Sequence, residues 1–143
     1  MRIDTESFFA GLADEMNSHP DRFRVLGDAD MSAAFVMRRS TGDFAVRVVF
    51  AGLRCEAVHE VAPGDATLAD FWLDGDFEHW RAMFDDIVAN GTASGRQTIN
   101  SLALIGTDIR LRGADPMGVD KFSRFNQTLQ EYLDGAARAA VAG

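Results

Sequence analysis

A histidine, an aspartate and a cysteine each stand inside a run of apolar residues, and each is a candidate for chemistry. His59 falls in the alternating run 53–61, which places Leu53, Cys55, Ala57, His59 and Val61 on one side and Arg54, Glu56, Val58 and Glu60 on the other. An imidazole among apolar groups suits acid or base work, but no partner acid is identifiable, and a hydrogen-bonded structural histidine is the alternative. Asp70 lies between Leu68 and the pair Phe71 and Leu73. It either faces water as an inert carboxylate or is desolvated, with its pKa pushed up. Cys55 is the single cysteine, so it has no disulfide partner within the chain and no second thiolate to share a zinc ion. It reads as a small buried hydrophobe or a reactive thiol, and its one basic neighbour, Arg54, points to the opposite face.

The other polar residues form no known catalytic pattern. His19 and His79 sit at predicted helix starts, and no two histidines are three or four residues apart on one helix, so no cofactor or metal is implied. Asp74 and Asp76 read as a turn and a helix cap rather than a calcium loop. No glycine-rich phosphate cradle occurs, and Ser7, Ser32 and Ser101 lack the setting of an activated nucleophile.

The elements that must position these residues follow from periodicity. Ile3, Phe8, Phe9, Leu12, Ala13 and Met16 recur at helical spacing behind Asp4 or Thr5 as a cap. Pro20 opens a short second helix with Phe23 and Leu26 on its apolar side, and Gly27 stops it. Residues 33–39, 44–50, 53–61 and 67–73 read as four strands joined by short turns. The spacing predicts an antiparallel meander with one polar face that needs no cover. Asp74, Gly75 and Asp76 are expected to break the sheet and to cap a helix carrying Phe77, Trp80, Phe84, Ile87 and Val88. Ile99, Leu102, Leu104 and Ile105 form an apolar piece that is either a helical turn or a loop. Residues 108–113 give a fifth strand, and Asp115 with Pro116 starts a last helix bearing Val119, Phe122, Phe125, Leu129 and Leu133. The small-residue stretch 136–143 reads as a frayed tail.

Composition bounds the rest. A chain of 143 residues that is 47% apolar and 25% charged is expected to form one globular domain, 1–143. A net charge of -8, with scattered basic residues, argues against a nucleic-acid partner. No run approaches the roughly 20 apolar residues of a membrane span, and the first residues lack the apolar core of a signal peptide, which makes the cytoplasm the expected compartment.

Two stretches carry a family resemblance. The run 69–80, Ala-Asp-Phe-Trp-Leu-Asp-Gly-Asp-Phe-Glu-His-Trp, is similar to the strand, acidic cap and aromatic first turn of the sterol carrier protein 2 family. The run 101–113, ending Ile-Arg-Leu-Arg-Gly, resembles that family's small-residue helix, glycine turn and last strand. The order of elements, from the first helix to Leu133, is similar as well. The segment 90–100 is longer than the usual connection, and the C-terminus lacks a Ser-Lys-Leu type of peroxisomal address.

The resemblance implies an α+β fold with a five-stranded, mainly antiparallel sheet covered by helices on one face. It further implies an apolar cavity between sheet and helices for a sterol, fatty acyl chain or similar lipid. The residues expected to line it are Phe9, Trp80, Phe84, Ile87, Ile99, Leu102, Leu104, Ile105, Phe122, Phe125 and Leu129. Eleven Phe, six Met and two Trp supply bulky, adaptable surface for such a site, although the same stripe can equally be plain core. Three function classes follow: a non-catalytic lipid carrier, an enzyme using the cavity with His59 or Asp70 as acid or base, and an accessory subunit. The last would offer an apolar groove to another protein's helix or tail, or to a second copy of this chain.

Overall fold

The computed structural model describes residues 1–142. Helix α1 (Glu6–Ser18) begins where the Thr5 hydroxyl accepts from the Phe8 amide at 3.1 Å, and it buries Phe9, Leu12, Ala13 and Met16. The short α2 (Asp21–Arg24) buries Phe23. Strands β1 (Ala29–Arg38), β2 (Phe44–Gly52) and β3 (Arg54–Val61) are joined by tight turns and pair antiparallel in sequence order. Strand β4 (Phe71–Asp76) leads into α3 (Phe77–Asn90). Helix α4 (Ile99–Ile105), β5 (Ile109–Arg112) and α5 (Pro116–Ala142) complete the chain.

The sheet order is β3-β2-β1-β4-β5, which is α+β and mainly antiparallel as expected, but not the expected four-strand meander. After β3 the chain crosses over β2 and β1, so that β4 pairs with β1 in parallel, placing Ala33 opposite Phe71 and Phe35 opposite Leu73. β4 lies three strand spacings from β3, roughly 14 Å. A connection the length of 62–70 reaches roughly 30 Å when extended, so no helix is needed to cross. Residues 63–68, which include the predicted start of β4, instead form a 3-10 turn that lies flat on the sheet. Small side chains allow this approach. Ala66 and Ala69 pack with Ala34, Val36 and Ala45 in a second, minor core. The outer face is therefore partly covered, contrary to the expectation that it needed no cover.

Asp74, Gly75 and Asp76 extend β4 rather than break it, and Gly75 pairs with both Met37 and Ile109. Glycine is required there, since a Cβ would stand 2.6 Å from the Asp108 carbonyl oxygen.

The main core lies on the other face. It joins Met31, Ala33, Phe35 and Met37 of β1 and Phe44, Val46, Val48 and Phe50 of β2 to the apolar sides of all five helices. α5 is about 40 Å long at 1.5 Å per residue and starts as expected, with the Asp115 carboxylate accepting from the Gly118 amide at 2.9 Å. It continues past Leu133 as helix. Ala136 is fully buried, and Arg138 pairs with Glu15 of α1 at 2.8 Å. Alanine favours a helix and leaves space for close packing. Gly143 lies outside the described residues.

Candidate functional site

The interior between sheet and helices brings together most of the apolar residues singled out from the sequence. Phe9, Trp80, Phe84, Ile87, Ile99 and Leu129 are fully buried, and Leu102 and Phe122 nearly so. Phe9 stacks on Phe35 with centroids 5.3 Å apart and meets Phe84 edge-on at 6.3 Å. Trp80 meets Phe35 edge-on at 5.6 Å, and its indole N–H donates to the Val36 carbonyl at 2.9 Å. Phe122 packs edge-on to Phe71 at 5.5 Å. Such pairs add roughly 0.5–1.5 kcal/mol each beyond their buried area, so these rings stabilise the core whatever else they do.

The remaining three residues sit at the rim. Phe125 is half-buried against the core, with the Arg124 guanidinium 5.2 Å from its ring centre. Leu104 is 84% exposed and Ile105 52% exposed, while Ile99 and Leu102 of the same helix are buried. The stretch left open between turn and loop is thus a helix with apolar residues on both faces. Its Thr98 cap accepts from the Ser101 amide at 3.2 Å.

Of the polar candidates, Cys55 joins this interior, whereas His59 and Asp70 do not. A β-bulge between Val49 and Phe50 shifts the pairing of β2 with β3, so that Phe50 faces Cys55 while Val48 faces Val58. Strict alternation fails at the bulge, and the residues beyond it change face. His59 is consequently opposite Arg47 and exposed on the outer face, not beside Cys55. Asp70 is a clamp. Its carboxylate accepts from the Ser32 amide at 2.8 Å and from Lys121 of α5 at 3.2 Å, and the Asp70 amide donates to the Ser32 hydroxyl at 2.9 Å. α5 approaches so closely that a Cβ on Gly118 would fall 1.9 Å from the Asp70 carbonyl oxygen. Burial pushes the Cys55 thiol up to about 11, the range of an inert group.

The surface clefts have charged rims. One of ≈ 600 Å³ is lined by Asp4, Arg38, Arg39, Asp76, Phe77 and Glu78, and its cations are already paired. Arg39 meets Asp4 at 3.0 Å, and Arg38 bonds Asp74 and, at 2.9 Å, Asp76. The Asp4 carboxyl is held below its ordinary value. Burial raises it, but the hydrogen bond from Arg39 and the charges of Arg2 and Arg39 outweigh that effect. A second groove, of ≈ 480 Å³, runs between the crossover and α5 and is lined by Leu68, Asp70, Met117 and Lys121.

A polar cluster at the opposite end was not singled out from the sequence. Asp134 is 4% exposed and accepts from the Thr92 hydroxyl at 2.6 Å, the Ala93 amide at 3.1 Å and the Gln130 side-chain amide at 2.8 Å. Gln130 in turn accepts from the Ile99 amide at 2.6 Å, and Asp86 of α3 accepts from the Ser94 amide at 2.7 Å. The available signal was an acid beside the apolar stripe at Leu129 and Leu133, four residues after a glutamine. Tyr132, two residues before Asp134, is fully buried and donates to the Phe9 carbonyl at 2.8 Å.

Against known structures, the chain has the sterol carrier protein 2 fold. It superposes on a crystal structure of sterol carrier protein 2 with a TM-score of 0.73 at 17% identity, covering 95% of this chain and 98% of that one. A solution structure of a conserved hypothetical protein from Thermus thermophilus, for which a sterol carrier role has been suggested, gives 0.70 at 16% identity, with 97% and 90% covered. No protein-family model matches the sequence, and no curated protein matches it. The fold read from the runs 69–80 and 101–113 is borne out over nearly the whole chain. No described helix is long and apolar enough to cross a membrane.

Proposed function

We propose that this chain binds an apolar small molecule, of the sterol or fatty acyl class, between the helices and the inner face of the sheet, and carries it without chemistry. The observation that supports this most is the full-length likeness in fold to a sterol carrier protein, shared by both chains over almost their entire length. The distribution of apolar residues agrees with it. Phe125 at the rim and Ile99 and Leu102 beneath α4 border the interior, while Leu104 and Ile105 give the same helix an apolar outer side. We assign Phe9, Trp80, Phe84, Ile87, Ile99, Leu102, Phe122, Phe125 and Leu129 to the ligand's surroundings and Leu104 and Ile105 to its route of entry. Neither acid–base candidate supports catalysis, since His59 is on the outer face and the Asp70 carboxylate is engaged by Ser32 and Lys121.

Organic extraction of the purified protein, followed by mass spectrometry, tests the reading. A defined lipid at near-stoichiometric amount is the expected result. No lipid, and none taken up from mixed-lipid vesicles, would overturn it. The exposed pair Leu104 and Ile105 also suits contact with another protein, and recovery of a stoichiometric partner in place of lipid would favour that second reading.

A further inference from the structure

Resting on the carrier reading, we propose that residues 92–105 form a lid, latched by Asp134, Gln130 and Asp86, whose opening admits the apolar ligand. The lid is bounded by two glycines in the left-handed region, Gly91 at the end of α3 with φ 82° and Gly106 at the end of α4 with φ 70°. Each is a point where the backbone can swing without a Cβ penalty. Between them, the backbone hydrogen bonds of the lid are internal, such as Gln97 to Ser94 at 3.0 Å and Leu102 to Thr98 at 2.9 Å. Among the described residues, the lid's hydrogen bonds to the body run through only three side chains: Asp86 of α3, and Gln130 and Asp134 of α5. No sheet ladder holds it down.

What the lid covers fits the role. Its inner side places Ala93, Ile99 and Leu102 in the main core, where the segment packs against α3 and α5. Lifting it uncovers that part of the core. The lid also holds a buried defect, since the Gln97 side-chain oxygen is shielded from water and has no hydrogen-bond partner among the described residues. A buried acceptor without a donor favours the open state, where water can reach it. The latch carries the opposing free energy, because the buried Asp134 side chain accepts two hydrogen bonds from the lid and one from Gln130.

The test combines amide exchange with stopped-flow binding of pyrene-labelled hexadecanoic acid to the full chain. Asp134→Asn keeps the shape of the latch but loses its charge-assisted bonds. Asp86→Asn, on the more accessible side, serves if the first variant does not fold. We expect the Ala93, Ser94 and Ile99 amides to exchange roughly 10-fold faster or more, with β1 and β2 amides unchanged. Probe association and dissociation should accelerate together by a similar factor, leaving the equilibrium affinity nearly the same. Saturable binding whose rates do not change while the lid amides loosen overturns the lid and spares the carrier reading. Unchanged lid exchange in a folded variant overturns the latch. A wild type that binds no probe overturns both.

Discussion

The side chain of Asn17 pairs with the backbone of Cys55 as another strand would. The Cys55 amide donates to Asn17 Oδ1 at 2.9 Å, and Asn17 Nδ2 donates to the Cys55 carbonyl at 3.0 Å. β3 is a sheet edge, and Glu6 likewise accepts from the Glu60 amide at 2.9 Å, so two side chains from α1 close an edge that would otherwise invite pairing with other chains. Asn17→Leu should destabilise the fold by roughly 1–3 kcal/mol in urea unfolding and should raise the rate of aggregation measured by light scattering. A neutral effect on both would show that the edge is protected otherwise.

Asp70 and His59 make opposite predictions. Asp70→Asn weakens the clamp joining β1, β4 and α5 and should cost roughly 1–3 kcal/mol. His59→Gln, on the exposed outer face, should stay within about 0.5 kcal/mol of the parent. Urea midpoints of the two variants, measured side by side, check the assignment.

Cys55 should be inert in the native state. Raising a thiol from 9.0 to about 11 leaves roughly 100-fold less thiolate at neutral pH, and burial blocks access besides. Alkylation at pH 8 should therefore follow global unfolding, and urea should accelerate it in step with the unfolded fraction. Fast labelling without denaturant would contradict the burial of β3 against α1.

Glu131 gives the stability a pH dependence of its own. Burial, with help from the charge of Asp134, raises its pKa, and Arg138 and Arg22 only partly offset this. A carboxyl whose folded pKa is raised binds more protons in the native state between the two pKa values, so its contribution improves as pH falls through that window. Glu131→Gln should raise the thermal midpoint at neutral pH. The gain should shrink as pH drops through the raised folded pKa and be gone below the ordinary glutamate value.

The helices and most of the strands were legible in the sequence because alternation and helical spacing are local signals. Three features were not. The parallel placement of β4 depends on Ala34 and Ala45 accepting a flat crossover, which only the tertiary arrangement reveals. The exposure of His59 depends on one extra residue opposite Phe50, invisible to a strict period of two. The cluster around Asp134 joins α5 to a segment some 40 residues earlier, and nothing in the spacing announces that pairing. At the candidate site, the buried apolar residues were found by their stripes, whereas Leu104 and Ile105 share α4 with Ile99 but face outward.

The central claim is that the interior accepts an apolar ligand, and titration of pyrene-labelled hexadecanoic acid into the wild type and Phe125→Ala tests it most directly. Deleting a close-packed Phe costs roughly 3–5 kcal/mol, but Phe125 is only half-buried at the rim, so its loss should lower the ligand-free urea midpoint much less. The account predicts saturable binding to the wild type, weakened roughly 10-fold or more in Phe125→Ala, together with a ligand-dependent rise in the wild-type midpoint. No saturable binding by the wild type, or collapse of ligand-free Phe125→Ala, would make the stripe ordinary core and contradict the claim.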